Sequence, residues 1–278
     1  MNSELSIKIY AMLKDGVIKS HAEFWRSIKR ETVENYFVKS EHISDLTKQN
    51  INLICVFDKD FPKFNESLKP SEKPFIFAYK GDIGLIKSDE NSVAVIGVIS
   101  PTDEIKRREQ NIVNKLIENN LTITSGLAEG CDTVAHETCL DKKGKTIAVL
   151  PSTLNNIYPK KNEFLATRII ENGGLVITEY LTEPQNRYER IKRFIFRDRL
   201  QALFSTAVIL VASYCAGDGD SGSRHAMNKA KEYGKKRYVM YNEKTDCDLI
   251  FGLNKSEIKK GADIVTNAAI TAIAKHNV

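Results

Sequence analysis

The sequence predicts an α/β protein: a doubly wound, mostly parallel sheet of the extended Rossmann-like type, with a small helical domain at the N-terminus. From residue 92 onward, short apolar segments rich in β-branched residues alternate with segments of helical periodicity, which is the pattern of repeated βα units. The apolar segments lack polar alternation, so both faces of the predicted sheet are covered, as in parallel sheets. Ligands of such sheets bind beyond the carboxyl ends of the strands.

The first part of the chain has a different character. Apolar residues at helical spacing predict one helix around Leu5–Leu13 and a second around Phe24–Phe37. Residues 51–57 predict a strand, and Pro74–Gly81 predicts a connector strand that docks on the main domain. We expect Lys87–Asn91 to be a linker. The predicted division is a helical N-terminal domain at 1–48, an extension docking on the core at 49–90, and the Rossmann-like core at 91–278.

The core elements follow from the alternation. The first strand is Ser92–Gly97, and Pro101 with Asp103 opens a helix that runs to about Asn119, since proline suits a first helical turn. Further strands are expected at 121–124, 146–150, 175–178, 208–212 and 237–241. Helices are expected near 132–141, 163–172, 194–204 and 223–233. The loops that follow strands, where ligands would bind, are 97–101, 125–131, 151–162, 179–193 and 213–223.

Composition indicates a soluble globular protein without a metal site or cofactor. The 278 residues are 42% hydrophobic and 28% charged, with a net charge of +5 that is compatible with a polyanionic partner. No apolar run approaches the roughly 18 residues of a membrane helix, and the N-terminus lacks a secretory signal pattern, so we expect a cytoplasmic protein and no membrane contact. Five cysteines without a C-x-x-C pair indicate reduced thiols, and five scattered histidines form no ligand cluster.

The most informative segment is Asn120–His136, in which a β-branched run ends in a turn with glycines at 126 and 130 and a helix then opens. This geometry directs unpaired backbone N–H groups and the positive end of the helix dipole toward an anion. The spacing matches neither a dinucleotide fingerprint nor a P-loop. The segment predicts a phosphate-sized site, with a tight βα connection as the alternative.

Two further loops have phosphate-binding chemistry. The loop at 151–162 contains hydroxyls, amides, Tyr158 and two lysines, which suit a sugar–phosphate chain with a base on the ring; an ordered loop with solvated lysines is the alternative. Gly217–Arg224 places two small hydroxyls around a glycine at a predicted helix start, a second candidate phosphate cradle. Asp218 and Asp220 beside it would repel phosphate unless they face away or hold a cation.

Positive charge is concentrated in Asn186–Arg199. This segment has six cations in fourteen residues, opposed by two acids, and two of its arginines alternate with Phe194 and Phe196 at a predicted helix start. Cations interleaved with aromatic rings are typical of single-strand binding. Ordinary surface arginines on an amphipathic helix are the alternative.

Candidates for catalysis are few. Asp132 and His136 lie four residues apart on one predicted helical face beside Cys131, a pattern open to acid–base or Cys/His chemistry. We favour structural roles, with Asp132 complementing the helix dipole and His136 hydrogen bonding to a neighbouring loop. Glu179, at the end of a strand, is the best lone carboxylate. No catalytic residue is assigned.

Motifs in a fixed order resemble one known family. Ser125–His136 is similar to that family's S-G-x-A-x-G-x-D-x-x-A-H, and Gly144–Leu150 and Leu154–Asn162 follow at the familiar distances. Phe194–Arg199 resembles F-P-x-R-N-R, and Ser221–Ser223 resembles the S-G-S that precedes a helix. Over about residues 50–270 the chain resembles the DNA-processing protein A family (DprA, also called Smf).

The resemblance implies a non-catalytic protein that binds single-stranded DNA. It also implies a homodimer and a RecA-type recombinase as partner, which the protein would help to load during natural transformation. Backbone amides at 125–131 and 221–224 would hold phosphates, lysine and arginine side chains would supply charge, and an aromatic ring would be the platform for a base. The candidate nucleic-acid and phosphate-binding residues are Ser125, Gly126, Ala128, Gly130, Tyr158, Lys160, Asn162, Arg193, Phe194, Arg197, Arg199, Ser221, Gly222 and Ser223.

Departures from the family pattern support a second hypothesis. Gly97–Ser100 stands where the family usually has G-S-R, Asp198 replaces the central asparagine of R-N-R, and two aspartates precede residue 221. Only a short tail follows Tyr241, so we expect no winged helix. The alternative is a nucleotide-binding sensor or a nucleotide-cleaving hydrolase of the same superfamily with Glu179 assisting, although the P-G-G-x-G-T of phosphoribohydrolases is absent.

Overall fold

A nine-stranded sheet runs through the computed structural model, which describes residues 2–87 and 91–275. In chain order the strands are β1 (Asn52–Cys55), β2 (Ile76–Gly81), β3 (Ser92–Ile96), β4 (Thr122–Ser125), β5 (Thr146–Val149), β6 (Leu175–Thr178), β7 (Ala207–Leu210), β8 (Lys236–Val239) and β9 (Asp263–Ile264). Their spatial order is β1-β2-β6-β5-β4-β3-β7-β8-β9. β3 to β9 are mutually parallel, whereas β2 pairs antiparallel with both β1 and β6.

Helices lie before the sheet and between its strands. They are α1 (Glu4–Lys14), α2 (His21–Ser27), α3 (Arg30–Glu34), α4 (Ser40–Gln49), α5 (Asp103–Glu118), α6 (Cys131–Asp141), α7 (Glu163–Glu171), α8 (Arg187–Leu203), α9 (Arg224–Glu232), α10 (Gly252–Lys259) and α11 (Asn267–Lys275). Short 3-10 turns occupy Ile83–Ile86, Lys160–Asn162 and Leu249–Phe251. No helix in the described part of the chain is long and apolar enough to cross a membrane.

The sheet is covered on both faces, which confirms the doubly wound α/β fold. Along β3, Val93 and Val95 pack into an apolar cluster with α5 and α6. The alternate residues Ala94 and Ile96 belong to a second cluster, formed with α8 and α9. Because successive side chains of a strand point to opposite faces, a strand buried on both faces needs the unbroken apolar run seen in the sequence.

The N-terminal helices share an apolar cluster with the sheet. This cluster contains Ile9 and Phe24 from the helices, Leu53 from β1, and Ala148 and Leu150 from β5 and the loop after it. The connector strand predicted at 74–81 is β2, and its antiparallel pairing with β6 docks it on the main sheet. The predicted domain boundaries stay a prediction, and residues 88–90 of the predicted linker lie outside the described residues.

Two helix predictions were wrong. The single helix predicted around Phe24–Phe37 is α2 and α3, because the chain at Ile28 is extended (φ −97°, ψ 111°). α8 begins at Arg187 rather than near 194, because the side chain of Asn186 accepts a hydrogen bond from the backbone N–H of Glu189 at 2.9 Å and caps the helix there. The residues that this earlier start adds to α8 are mostly exposed.

The order of the strands leaves a crevice at the carboxyl edge of the sheet. β3 pairs with β4 on one side and with β7 on the other, so the loops that follow these strands diverge from each other. In open parallel sheets this reversal of strand order is where ligands bind.

Candidate functional site

A pocket of about 420 Å³ occupies this crevice. The loops after β3, β4 and β7 line it, together with Tyr158 and one face of α8. Of the predicted site residues, those that line the pocket are Gly126, Ala128, Tyr158, Phe194, Arg197, Gly222 and Ser223. Four separate segments of the sequence therefore meet in one place.

The loop after β4 is closed by its own carboxylate. Asp132 accepts hydrogen bonds from the backbone N–H groups of Gly126 and Ala128, both at 3.1 Å. A Cβ at Gly126 would lie 1.9 Å from the guanidinium of Arg197, so only glycine fits there. Gly130 has a φ of +77°, and a Cβ there would lie 2.4 Å from the carbonyl oxygen of Val98. The two N–H groups that suggested a phosphate cradle thus already have an anionic partner.

The side chains behind this loop hold it in place. The buried Asn162 donates to the carbonyl oxygen of Leu127 at 2.9 Å and to the hydroxyl of Thr133 at 2.8 Å. The hydroxyl of Ser125 is also buried and donates to the carbonyl oxygen of Val95 at 2.7 Å. Both predicted site residues therefore contact protein groups, and their contribution to a ligand site is to fix the loop.

The loop after β7 is closed in the same way. The carboxylate of Asp220 accepts from the N–H of Ile99 at 2.8 Å and from the N–H of Gly222 at 3.3 Å. Ser223 donates its hydroxyl to the carbonyl oxygen of Gly97 at 3.1 Å, and the Ser221 hydroxyl accepts from an arginine in the first turn of α9. Asp220 therefore does not face away from the pocket; it fastens the β7 loop to the β3 loop.

The floor of the pocket contains one guanidinium and two carboxylates. Arg197 donates to the carbonyl oxygen of Val149 at 2.7 Å, and its Nε lies 3.1 Å from Asp198. Burial raises the pKa of Asp198 to about 7; Arg197 opposes this rise and Asp132 adds to it. Burial also raises the pKa of Asp132 against the effect of Arg197. One positive charge cannot neutralise two buried carboxylates, so the pair retains a proton near neutral pH.

The residues considered for nucleophilic or acid–base chemistry are built into the core. His136 is fully buried, its Nδ1 lies 2.7 Å from the hydroxyl of Thr146, and burial lowers its pKa to about 3. Burial raises the pKa of the Cys131 thiol, which is the opposite of what a nucleophilic cysteine needs. The geometry favours the structural roles of both residues.

Two aromatic rings stand at the rim of the pocket. The centroids of Tyr158 and Phe194 are 5.4 Å apart with an interplanar angle of 83°, and 49% of Tyr158 is exposed. The exposed Lys160 lies nearby in sequence, where it pairs with Glu163 at 2.7 Å. An exposed ring held edge-on by a second ring offers a face on which a base can stack.

The predicted arginine patch is arranged differently from the sequence hypothesis. Arg193 is buried and bonded to Glu189 at 2.6 Å, and Arg199 is buried and bonded to Glu179 at 2.7 Å. Both arginines line a second, larger cavity on the other side of α8. The exposed cations of this helix are instead Arg187, Arg190 and Lys192. Helical periodicity alone would not have separated the two sets, because Arg190 and Arg197 are seven residues apart on one face of the helix. The sets differ because the C-terminal part of α8 is buried and its first turns are not.

Glu179 does not line the first pocket. Its Oε1 lies 2.9 Å from Nε2 of His21 and also accepts a hydrogen bond from Arg199, so Glu179 connects α2 with α8. Burial alone would raise the pKa of Glu179, but the charges and hydrogen bonds of Arg199 and His21 outweigh burial and lower it to about 2. An ionised, ion-paired carboxylate of this kind is a poor general base.

Comparison with known proteins gives consistent matches. The family model described as DNA recombination-mediator protein A matches residues 52–274. The protein Smf of Borreliella burgdorferi is 28% identical over 204 residues, which are 66% of this chain and 60% of that protein, so the chain spans less than two thirds of this curated relative. DNA processing protein A from Streptococcus pneumoniae superimposes with a TM-score of 0.72 at 26% identity, over 96% of this chain and 92% of that one. DNA processing protein A from Helicobacter pylori, whose structure was described for its single-stranded DNA binding mode, superimposes with a TM-score of 0.65 at 27% identity, over 81% of this chain and 96% of that one.

Proposed function

Because the chain belongs to the DNA recombination-mediator protein A family, as its motifs predicted, we propose that it is a non-catalytic protein that binds single-stranded DNA at the carboxyl edge of its sheet. The observation that carries the proposal is the pair of rings formed by Tyr158 and Phe194 on the rim of the pocket. Stacking on an aromatic ring is the sequence-tolerant contact on which single-strand binding depends. The Helicobacter pylori relative, whose single-stranded DNA binding mode has been described, supports this assignment.

The charge for binding comes from two exposed arginines. Arg187 and Arg190 lie in the first turns of α8 and form no ion pair within residues 2–87 and 91–275. Arg193, Arg197 and Arg199, in contrast, are buried and bonded to groups of the protein itself. We assign to the buried arginines the task of holding α8 against the sheet, and to Arg187 and Arg190 the task of attracting phosphates.

The protein's wider role is part of the same proposal. We propose that it acts as a homodimer in DNA processing and recombination, and that it loads a RecA-type recombinase onto the strand that it holds. Family membership supports both points. Light scattering tests the dimer, and the rate of recombinase assembly on a strand with and without the protein tests the loading.

Fluorescence anisotropy of a labelled 20-nucleotide single strand tests the binding. The double variant Tyr158→Ala/Phe194→Ala should bind about 5- to 150-fold more weakly, because base stacking contributes roughly 1–3 kcal/mol per base. Phe37→Ala is the matched control, since that ring is 78% exposed on the N-terminal helical region and outside the pocket. Equal affinity of the double variant and the wild type would remove the pocket from the proposal.

The salt dependence tests the cations separately. The logarithm of the binding constant for a single strand falls with the logarithm of salt concentration, with a slope of about −0.7 per phosphate contact. Arg187→Ala/Arg190→Ala should therefore give a slope shallower by about 1.4. Lys142→Ala is the control, because Lys142 follows the C-terminus of α6 at the opposite edge of the sheet. Free mononucleotides and duplex DNA serve as competitors. Binding of a mononucleotide without binding of a strand would contradict the proposal and favour a nucleotide sensor.

A further inference from the structure

A second cavity, of about 840 Å³, lies between the N-terminal helices and α8. Its walls come from the segment that leads into α2, from residues 71–76 before β2, from the chain after β6 and from α8. The ion pair of Glu179 with Arg199 closes one side of it. The predicted site residues Arg193 and Arg199 line this cavity, but the proposed function makes no use of it.

The charges that line the second cavity do not balance. Each of its three acids has a cationic partner within the lining: Glu72 with Lys229 at 2.6 Å, Glu179 with Arg199 at 2.7 Å, and Glu189 with Arg193 at 2.6 Å. Two lysines, Lys19 and Lys192, are exposed and have no carboxylate partner in the described parts of the chain. The cavity therefore carries surplus positive charge, which suits an anionic ligand.

The remaining lining is aromatic and aliphatic. The centroid of the Phe196 ring lies 5.1 Å from that of the His21 ring. The guanidinium of Arg199 lies 3.7 Å from the centroid of the Phe196 ring. Tyr180 and Ile18 add further apolar surface. Apolar and aromatic walls beside unpaired lysines are the chemistry that holds a base together with its phosphate.

The two cavities are separated by a single helix. α8 gives Phe194, Arg197 and Asp198 to the first pocket and Lys192 and Phe196 to the second. Ile195 lines both, and 43% of this residue is exposed. The surface between the cavities is therefore one apolar side chain wide at that point.

We propose that a strand held in the first pocket crosses α8 at Ile195 and places its next nucleotides in the second cavity, with phosphates at Lys19 and Lys192 and a base against the wall that contains Phe196. This inference rests on the proposed function and extends it. The N-terminal helices then form one side of the nucleic-acid site, and the length of strand recognised is greater than the first pocket alone can accommodate.

Strand length provides the test. For Lys19→Ala/Lys192→Ala, anisotropy is measured with labelled oligothymidylates from 3 to 20 nucleotides, with Lys142→Ala as the control. The shortest strands should bind as they do to the wild type, because they fill only the first pocket. The longest strands should bind about tenfold more weakly than to the wild type near 0.15 M salt. The slope of the logarithm of the binding constant against the logarithm of salt concentration should be shallower by about 1.4, as expected for two lost phosphate contacts.

The possible outcomes separate the inference from the proposed function. Equal affinity of variant and wild type at every length would overturn the second subsite while leaving the first intact. An equal loss at every length would also overturn it, since the lysines would then act on the first pocket through their long-range field. If the wild type binds no strand of any length, the proposed function fails, and the inference fails with it.

Discussion

Replacing Asp198 by asparagine should make the folded protein more stable, and the gain should grow with pH. Asp198 lies in the floor of the pocket beside Arg197, and a second carboxylate, Asp132, is close enough to influence its ionisation. In the folded chain its pKa is raised from its ordinary value of 3.8 to about 7. Between these two pH values the folded state binds a proton that the unfolded state has lost, so its stability falls as the pH rises.

The size of the effect follows from the two pKa values. Each pKa unit between the folded and unfolded states corresponds to about 1.4 kcal/mol, so ionised Asp198 costs the folded protein up to about 4 kcal/mol above pH 7. Asparagine has nearly the shape of the protonated acid and never ionises, so Asp198→Asn avoids this cost. Arg197 keeps its bond to the carbonyl oxygen of Val149 and the negative charge of Asp132.

Urea unfolding followed by circular dichroism measures the gain. The free energy of unfolding of Asp198→Asn minus that of the wild type should be near zero at pH 4 and should level off above pH 7. Asp218→Asn, at an exposed position of the β7 loop, is the control and should show no such pH dependence. A variant that is less stable than the wild type above pH 7 would refute the reasoning, because it would mean that Arg197 holds Asp198 in its ionised form at a net gain.

Three further outcomes are expected. Glu179→Gln should lower the free energy of unfolding at pH 7 by about 3 kcal/mol. The reason is that the pKa of Glu179 is lowered to about 2 in the folded protein, so its ionised form stabilises the fold above pH 4.5, and this stability is lost as the pH falls through 2. Urea unfolding that shows no loss would contradict the ion pair with Arg199. Asp220→Ala frees two backbone N–H groups at the pocket. A single strand should then bind a few-fold more tightly, and the logarithm of its binding constant should fall with the logarithm of salt concentration more steeply by about 0.7. Weaker binding in anisotropy would argue against a strand phosphate at that position. Asn162→Ala removes the buried amide that donates to Leu127 and should cost about 1–3 kcal/mol in thermal unfolding; an unchanged melting temperature would show that the loop holds its shape without it.

The strands of the core could be predicted from sequence because their signal is local. Leu175–Thr178 is a strand in both the prediction and the structure, and α7 ends within one residue of its predicted end. A run of four apolar or β-branched residues between helical segments has few alternatives in an α/β chain. The N-terminal region has no comparable signal, and there the extended residue Ile28 divided one predicted helix into two.

The partners of the site residues could not be predicted, because they depend on contacts distant in sequence. The N–H of Ile99 and the carboxylate of Asp220 are separated by 121 residues along the chain. Nothing in the local sequence indicates that this carboxylate accepts backbone N–H groups rather than repelling a ligand. The same holds for Arg199, whose position in a cation-rich segment suggested a surface role and whose partner Glu179 lies at the end of another strand.

The antiparallel strand β2 has a consequence for how the chain folds as it is synthesised. Ala78 of β2 pairs with Thr178 of β6, which leaves the ribosome a hundred residues later. At about 5–20 residues per second, the β1–β2 pair therefore waits roughly 5–20 s with one edge unpaired. The N-terminal helices wait with it, because their apolar cluster includes residues of β5 and α7. The N-terminal helices, β1 and β2 are thus synthesised before the strands that complete them, and until then they are exposed to chaperones and to pairing with other chains.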